Sequence, residues 1–102
     1  MPKTAEQALR RRTSWTNKSK EIRERSKYLC AVCLDQGIAR ADDDTEVHHI
    51  TKLRDDPSGL LRDDNLVCLC VYHHKQADNG ILDAEYLREL AQKRDIVDYP
   101  LL

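Results

Sequence analysis

Apolar positions are sparse along this chain and fall into short, separately patterned runs. Between Trp15 and Tyr28, Trp15, Ile22 and Leu29 stand seven apart, Tyr28 lies beside them, and charges fill the rest. A seven-residue recurrence keeps side chains on one stripe, so this run predicts a helix with a narrow buried face and a basic outer face. Thr45–Ile50 reads as a strand, with Val47 and His49 directed one way and His48 and Ile50 the other. Leu66–Leu69 is a second short apolar strand. From Val71 the pattern turns helical and stops at Asp78-Asn79-Gly80, where Gly80 suits a C-terminal cap. A last helix is expected over about Ala84–Lys93, with Asp83 as N-cap, Leu82 and Leu87 at staple positions, and an apolar stripe of Leu87, Leu90 and Ala91.

Polar loops separate these elements. Cys33 to Val47 holds Gly37 for a tight turn and an acidic run, Asp42-Asp43-Asp44, which reads as solvated because no EF-hand spacing surrounds it. Residues 51–64 form a long loop around the turn Asp55-Asp56-Pro57-Ser58-Gly59. Residues 1–13 have no sustained apolar period beyond a short amphipathic turn at Ala5–Leu9. They read as a flexible basic arm, followed by a single domain over 14–95 and a tail over 96–102.

At 102 residues with no Phe, the chain has little material for a core, and a structural metal is the expected staple. No apolar leader or membrane-length run occurs, so a cytoplasmic protein is expected, whose reduced cysteines read as metal ligands before disulfides. The net charge of −1 conceals an asymmetry: residues 1–27 carry +6 and the remainder −7. A basic front on an acidic body suggests a polyanion held by the front half; a solvated arm with i,i+4 ion pairs is the plainer alternative.

The chemistry concentrates between Cys30 and His74. Cys30 and Cys33 form one x-x pair, and the second half offers either Cys70 with His73 or Cys68 with Cys70. The x-x spacing of Cys70 and His73 is preferred, because it sets both side chains on one side of a turn. Four closed ligands of this kind imply a structural zinc and no chemistry. His48, His49 and His74 remain. If His48 points at His74, the two can hold a second cation with open positions, while His49 lies near it as a neutral imidazole able to take a proton from water. The amide of Asn65 can bridge backbone groups across the long loop and fix the strand carrying His49. The bland alternative makes Asn65 a turn residue and the histidines incidental.

The order C-x-x-C at Cys30 and Cys33, then Val47-His48-His49-Ile50, then Asn65-Leu66, then Leu69-Cys70-x-x-His73-His74-Lys75, resembles the HNH endonuclease family. It is most similar to small phage- and prophage-type members built on a zinc ribbon. The resemblance runs from about Trp15 to Asp78. It implies a small α+β fold: a ββα-metal core on a zinc ribbon, with flanking N- and C-terminal helices. Position by position, it makes His49 the general base, Asn65 the loop-orienting residue and His74 a ligand of the catalytic cation, with His48 the second. Cys30, Cys33, Cys70 and His73 match the zinc ligands, with His73 where the family usually has Cys, so that Cys68 competes. His48 stands where Asp is common, which implies a neutral, imidazole-rich site favouring Mn²⁺, Co²⁺ or Ni²⁺ over Mg²⁺.

The resulting expectation is a metal-dependent endonuclease acting on double-stranded DNA, nicking one strand per site as a monomer or weak dimer. Flanking phosphates would be gripped by Arg10, Arg11, Arg12, Lys18, Lys20, Arg23, Arg25 and Lys27. The phage resemblance adds packaging or processing proteins as partners. The alternative is a zinc-ribbon nucleic-acid-binding module that cleaves nothing; an RNA nuclease would use the same chemistry.

Overall fold

The computed structural model describes residues 12–96. The expected arm with Arg10 and Arg11, the turn at Ala5–Leu9 and residues 97–102 of the tail lie outside the described residues. The element order is α1 (Thr13–Arg25), α2 (Ala31–Asp35), β1 (Glu46–His49), β2 (Leu66–Leu69), α3 (Val71–Asp78) and α4 (Ala84–Ile96). The two strands pair antiparallel, Glu46 opposite Leu69 and His49 opposite Leu66. The result is a small α+β fold whose centre is a ββα unit, β1–β2–α3, flanked by helices on both sides. Among the described residues no helix is long and apolar enough to cross a membrane.

A two-stranded hairpin is marginal by itself and needs both faces covered. The strand alternation read from the sequence does this. On one face Val47 and Leu66 meet Ile22 of α1, with Trp15 packed alongside. On the other, Ile50, Val67 and Leu69 meet Ala77 of α3 and Leu87, Leu90 and Ala91 of α4. Asp83 Oδ2 accepts from the Tyr86 N–H at 3.2 Å, and Leu82 joins the cluster containing Leu87, so the cap and staple are both present. Gly80 has φ +74°, the left-handed geometry expected after α3.

Three features differ from the pattern. First, α1 stops at Arg25, because Lys27 and Tyr28 take φ of 57° and 58°. Such conformations cost non-glycine residues roughly 1–2 kcal/mol each. The reversal is held by Lys27 N–H on Glu24 O at 3.0 Å and Tyr28 N–H on Arg23 O at 2.9 Å. It turns the chain out of the helix axis and into Cys30. Second, α2 is a one-turn helix whose cap is the Cys30 sulfur. Third, the 51–64 loop is packed: Leu53 and Leu60 are buried, and two 3₁₀ turns, Pro57–Leu60 and Asp63–Asn65, give it shape. Arg94, buried on α4, donates to the carbonyls of Leu66 and Asp63 and clamps the end of that loop.

Candidate active site and metal centres

Each half of the cysteine-rich region builds the same local device. The Cys30 sulfur accepts from the Cys33 N–H at the start of α2, and the Cys70 sulfur accepts from the His73 N–H at the start of α3, both at 3.5 Å. An x-x spacing at a helix N-terminus therefore points both side chains of each pair the same way. The sulfurs of Cys30, Cys33 and Cys70 lie 3.4, 3.4 and 3.3 Å from His73 Nδ1, and Cys33 and Cys70 sulfurs are 4.0 Å apart. A tetrahedral site with bonds of roughly 2.1–2.3 Å has edges of about 3.5–3.8 Å, so the four donors match its size. Burial, then the neighbouring Cys30, pushes the Cys33 thiol up to about 12. Thiolates at these positions need a cation between them.

Cys68 lies outside this cluster. It pairs with Val47 and so shares the face covered by α1, whereas Cys30, Cys33 and Cys70 pack with the cluster on the other face. Burial raises its thiol to about 11, as for a small residue in a core.

A second cluster forms where β1 meets α3. His48 and His74 face each other edge to face with ring centroids 5.2 Å apart, and Asp78, one turn beyond His74, reaches both. Its oxygens lie 3.4 Å from His48 Nδ1 and 3.7 Å from His74 Nε2. One donor atom from each residue falls within 4.8 Å of the others, so the three can hold a metal ion. Burial, then the neighbouring His74, lowers His48 to about 4, which leaves its lone pair free at neutral pH. Glu46 Oε1, 3.3 Å from His74 Nδ1, orients the other edge of that ring.

His49 lines the same cavity from the opposite face of β1. Its Nε2 is 3.2 Å from the carbonyl of Leu60. A carbonyl only accepts, so Nε2 carries the proton and Nδ1 is the basic atom of the neutral ring. Trp15 covers the ring at 4.4 Å between centroids. Asn65 is fully buried: its Oδ1 accepts from the Thr51 N–H at 2.7 Å, and its Nδ2 donates to Thr51 O and Gly59 O, each at 3.1 Å. One amide thus ties Thr51, two residues after β1, to the far side of the loop whose Leu60 carbonyl holds His49.

The model of the HNH endonuclease family matches residues 30–80, half of the chain. The chain belongs to the HNH endonuclease family. Its fold is also similar to the crystal structure of a deep-sea thermophilic bacteriophage GVE2 HNH endonuclease with manganese ion. The TM-score is 0.66 at 28% identity, covering 72% of this chain and 78% of that one. No curated protein matches.

Within this HNH unit, the sequence reading names His48, His49, Asn65 and His74, and the fold brings all four to one cavity or its supporting loop. It misses Asp78, taken as part of a helix stop. The available signal is its i,i+4 spacing from His74, which sets both on one helix face. Asp78 also changes the character of the cluster: the donor set has a negative charge where the resemblance implied a neutral one. The α1 cations are more occupied than their sequence suggests. Lys18 and Arg25 both pair with Asp63 and Glu21, and Arg23 donates to the Asp43 carbonyl. Arg12, Lys20 and Lys27 remain exposed.

Proposed function

We propose that this nuclease is a metal-dependent DNA endonuclease that cuts one strand per site. The observation that carries the reading is the convergence of His48, His74 and Asp78 donors beside a His49 ring whose Nε2 is engaged by the Leu60 carbonyl. A divalent cation on those three donors would supply positive charge to the phosphate oxygens and the leaving oxygen. Two imidazoles and a carboxylate suit Mn²⁺, Co²⁺ or Ni²⁺, and the carboxylate makes Mg²⁺ an acceptable substitute.

His49 Nδ1 takes a proton from water as the water oxygen attacks the scissile phosphorus. The Leu60 carbonyl keeps the ring in the required tautomer, and Trp15 limits its rotation. The bond from phosphorus to the 3′ oxygen breaks, the leaving oxygen takes a proton from solvent, and the products carry 5′-phosphate and 3′-hydroxyl ends. One base and one cation centre make a single cut, so a monomer nicks. Cys30, Cys33, Cys70 and His73 hold a structural Zn²⁺ that fixes the start of α3, and with it His74 and Asp78, relative to α2. Arg12, Lys20 and Lys27 of the α1 region meet flanking phosphates, joined by Arg10 and Arg11. Lys18, Arg23 and Arg25 shape that surface through their acidic and carbonyl partners.

The test is a supercoiled-plasmid assay with metal-stripped, zinc-loaded protein, adding back Mg²⁺, Mn²⁺, Co²⁺ or Ni²⁺ separately. Open-circle product that requires metal, His49 and Asp78 supports the reading. Intact salt-sensitive DNA binding with no cutting in any metal would replace it with a binding module.

A further inference from the structure

Lys52 and Arg54 stand on the loop leaving β1 and line the cavity that contains His48, His49, His74 and Asp78. Both are exposed, and between them Leu53 is buried, 3% exposed, so the backbone is anchored while the two cations flank the opening. The anchor is reinforced one residue earlier. Thr51 is held by Asn65 through both its N–H and its C=O, and its hydroxyl accepts from Arg88 Nη2 at 2.5 Å. The following turn closes on Lys52 itself, whose carbonyl accepts from the Asp55 and Asp56 N–H groups at 2.9 and 3.0 Å.

Neither Lys52 nor Arg54 forms a side-chain hydrogen bond or ion pair among the described residues. Among the described residues lining the cavity, Asp78 is the sole carboxylate, and its oxygens are directed at His48 and His74. On α1, by contrast, Lys18 and Arg25 are neutralised by Asp63 and Glu21. A cation pair on an anchored backbone segment, with no side-chain partner among the described residues, flanks the cavity of His48, His49, His74 and Asp78 and fits a ligand that carries several negative charges in a row.

We infer that Lys52 and Arg54 bind the phosphodiester groups of the DNA strand being cut, on either side of the scissile phosphate. This rests on the nuclease reading of the neighbouring cavity. The two residues position the strand and read no bases, so their effect falls on affinity and its salt dependence. Asn65 acquires a second task from this placement: the amide that steadies the loop behind His49 also sets where Lys52 leaves the backbone.

The experiment uses full-length, zinc-loaded protein carrying His49→Ala to prevent cutting, with Mn²⁺ and a short fluorescent duplex, followed by anisotropy across a KCl series. Each phosphate contact contributes about 0.9 to the slope of log affinity against log salt. Replacing both Lys52 and Arg54 by Ala is expected to reduce the slope by about 1.8 and to weaken binding at least tenfold at low salt. Lys52→Arg should keep the slope, and Lys93→Ala on α4 should leave it unchanged. Mn²⁺ affinity, measured by calorimetry, should stay within twofold in every variant. An unchanged slope in the double variant overturns the proposal. So does a loss of Mn²⁺ binding or a collapsed melting transition, since the pair would then serve the fold. These outcomes are separate from the fate of the nuclease reading, which fails if protein with His49 intact cuts in none of the metals tested.

Discussion

Replacing Asn65 by Ala should be among the most destabilising single changes in the molecule. Asn65 is completely buried and makes three hydrogen bonds, all to backbone groups. Truncation leaves the Thr51 N–H, the Thr51 C=O and the Gly59 C=O without those partners. A buried polar group left unsatisfied costs about 1–3 kcal/mol. Three such groups, with some relief from water entering the gap, give a loss of about 3–6 kcal/mol. Against a total stability of about 5–15 kcal/mol for an ordinary domain, this is a large fraction. At about 4–8 °C per kcal/mol for a domain of this size, the melting midpoint should fall by at least 12 °C. Urea titration and a thermal melt of zinc-loaded protein, both followed by circular dichroism, measure it. Asn65→Asp is the informative partner. It keeps an acceptor for the Thr51 N–H but places an oxygen against two carbonyls, so it should be no more stable than Ala. A loss below about 1 kcal/mol for Asn65→Ala, or full rescue by Asp, would refute the claim that this amide holds the loop together.

Three further outcomes follow from the same structure. A Cβ at Gly59 would sit 2.5 Å from Asn65 Nδ2 and 3.2 Å from its Cγ, so Gly59→Ala must displace the amide; a cost of about 1–3 kcal/mol and reduced cutting are expected, and an unaltered melt would contradict it. His48 is buried and held near 4 against an ordinary 6.5, so between those values the unfolded chain takes up a proton that the folded one refuses. Stability of zinc-loaded protein without a second cation should therefore fall as pH drops from 6.5 to 4, by at most about 3 kcal/mol, and level off below. Urea midpoints at pH 7, 6 and 5 should show this slope in the wild type and lose it in His48→Gln; equal slopes would reject the assignment. Chelation of zinc should unfold the α2–α3 junction, and Cys70→Ser should mimic it whereas Cys68→Ser leaves zinc content at one per chain. Metal analysis after dialysis decides between the two cysteines.

Much of the architecture was legible because its causes are local. The cap at Asp83, the staple of Leu82 with Leu87, the stop at Gly80 and the alternation through Val47, His48, His49 and Ile50 each depend on a few neighbouring residues. The metal-sized cluster follows the same rule: an x-x pair at a helix start points two donors one way, whatever the rest of the chain does. Charge was less legible, since a run of cations on α1 looks the same whether it faces solvent or an acid. Asp63, 45 positions beyond Lys18, lies on a 3₁₀ turn whose location depends on loop packing and on Arg94 reaching across from α4.

The sequence by itself determined the two strands, helices α1, α3 and α4, the two x-x pairs of Cys and His and the set of histidines outside them, because each is encoded in spacing within one element. Only the tertiary structure decided that Asp78 joins His48 and His74, that Trp15 covers His49, and that, among the described residues, Lys18 and Arg25 meet carboxylates while Lys52 and Arg54 line the cavity without a side-chain partner. Those are relations between elements brought together by burying the two faces of one short hairpin, and no local period records which side chains that burial sets side by side.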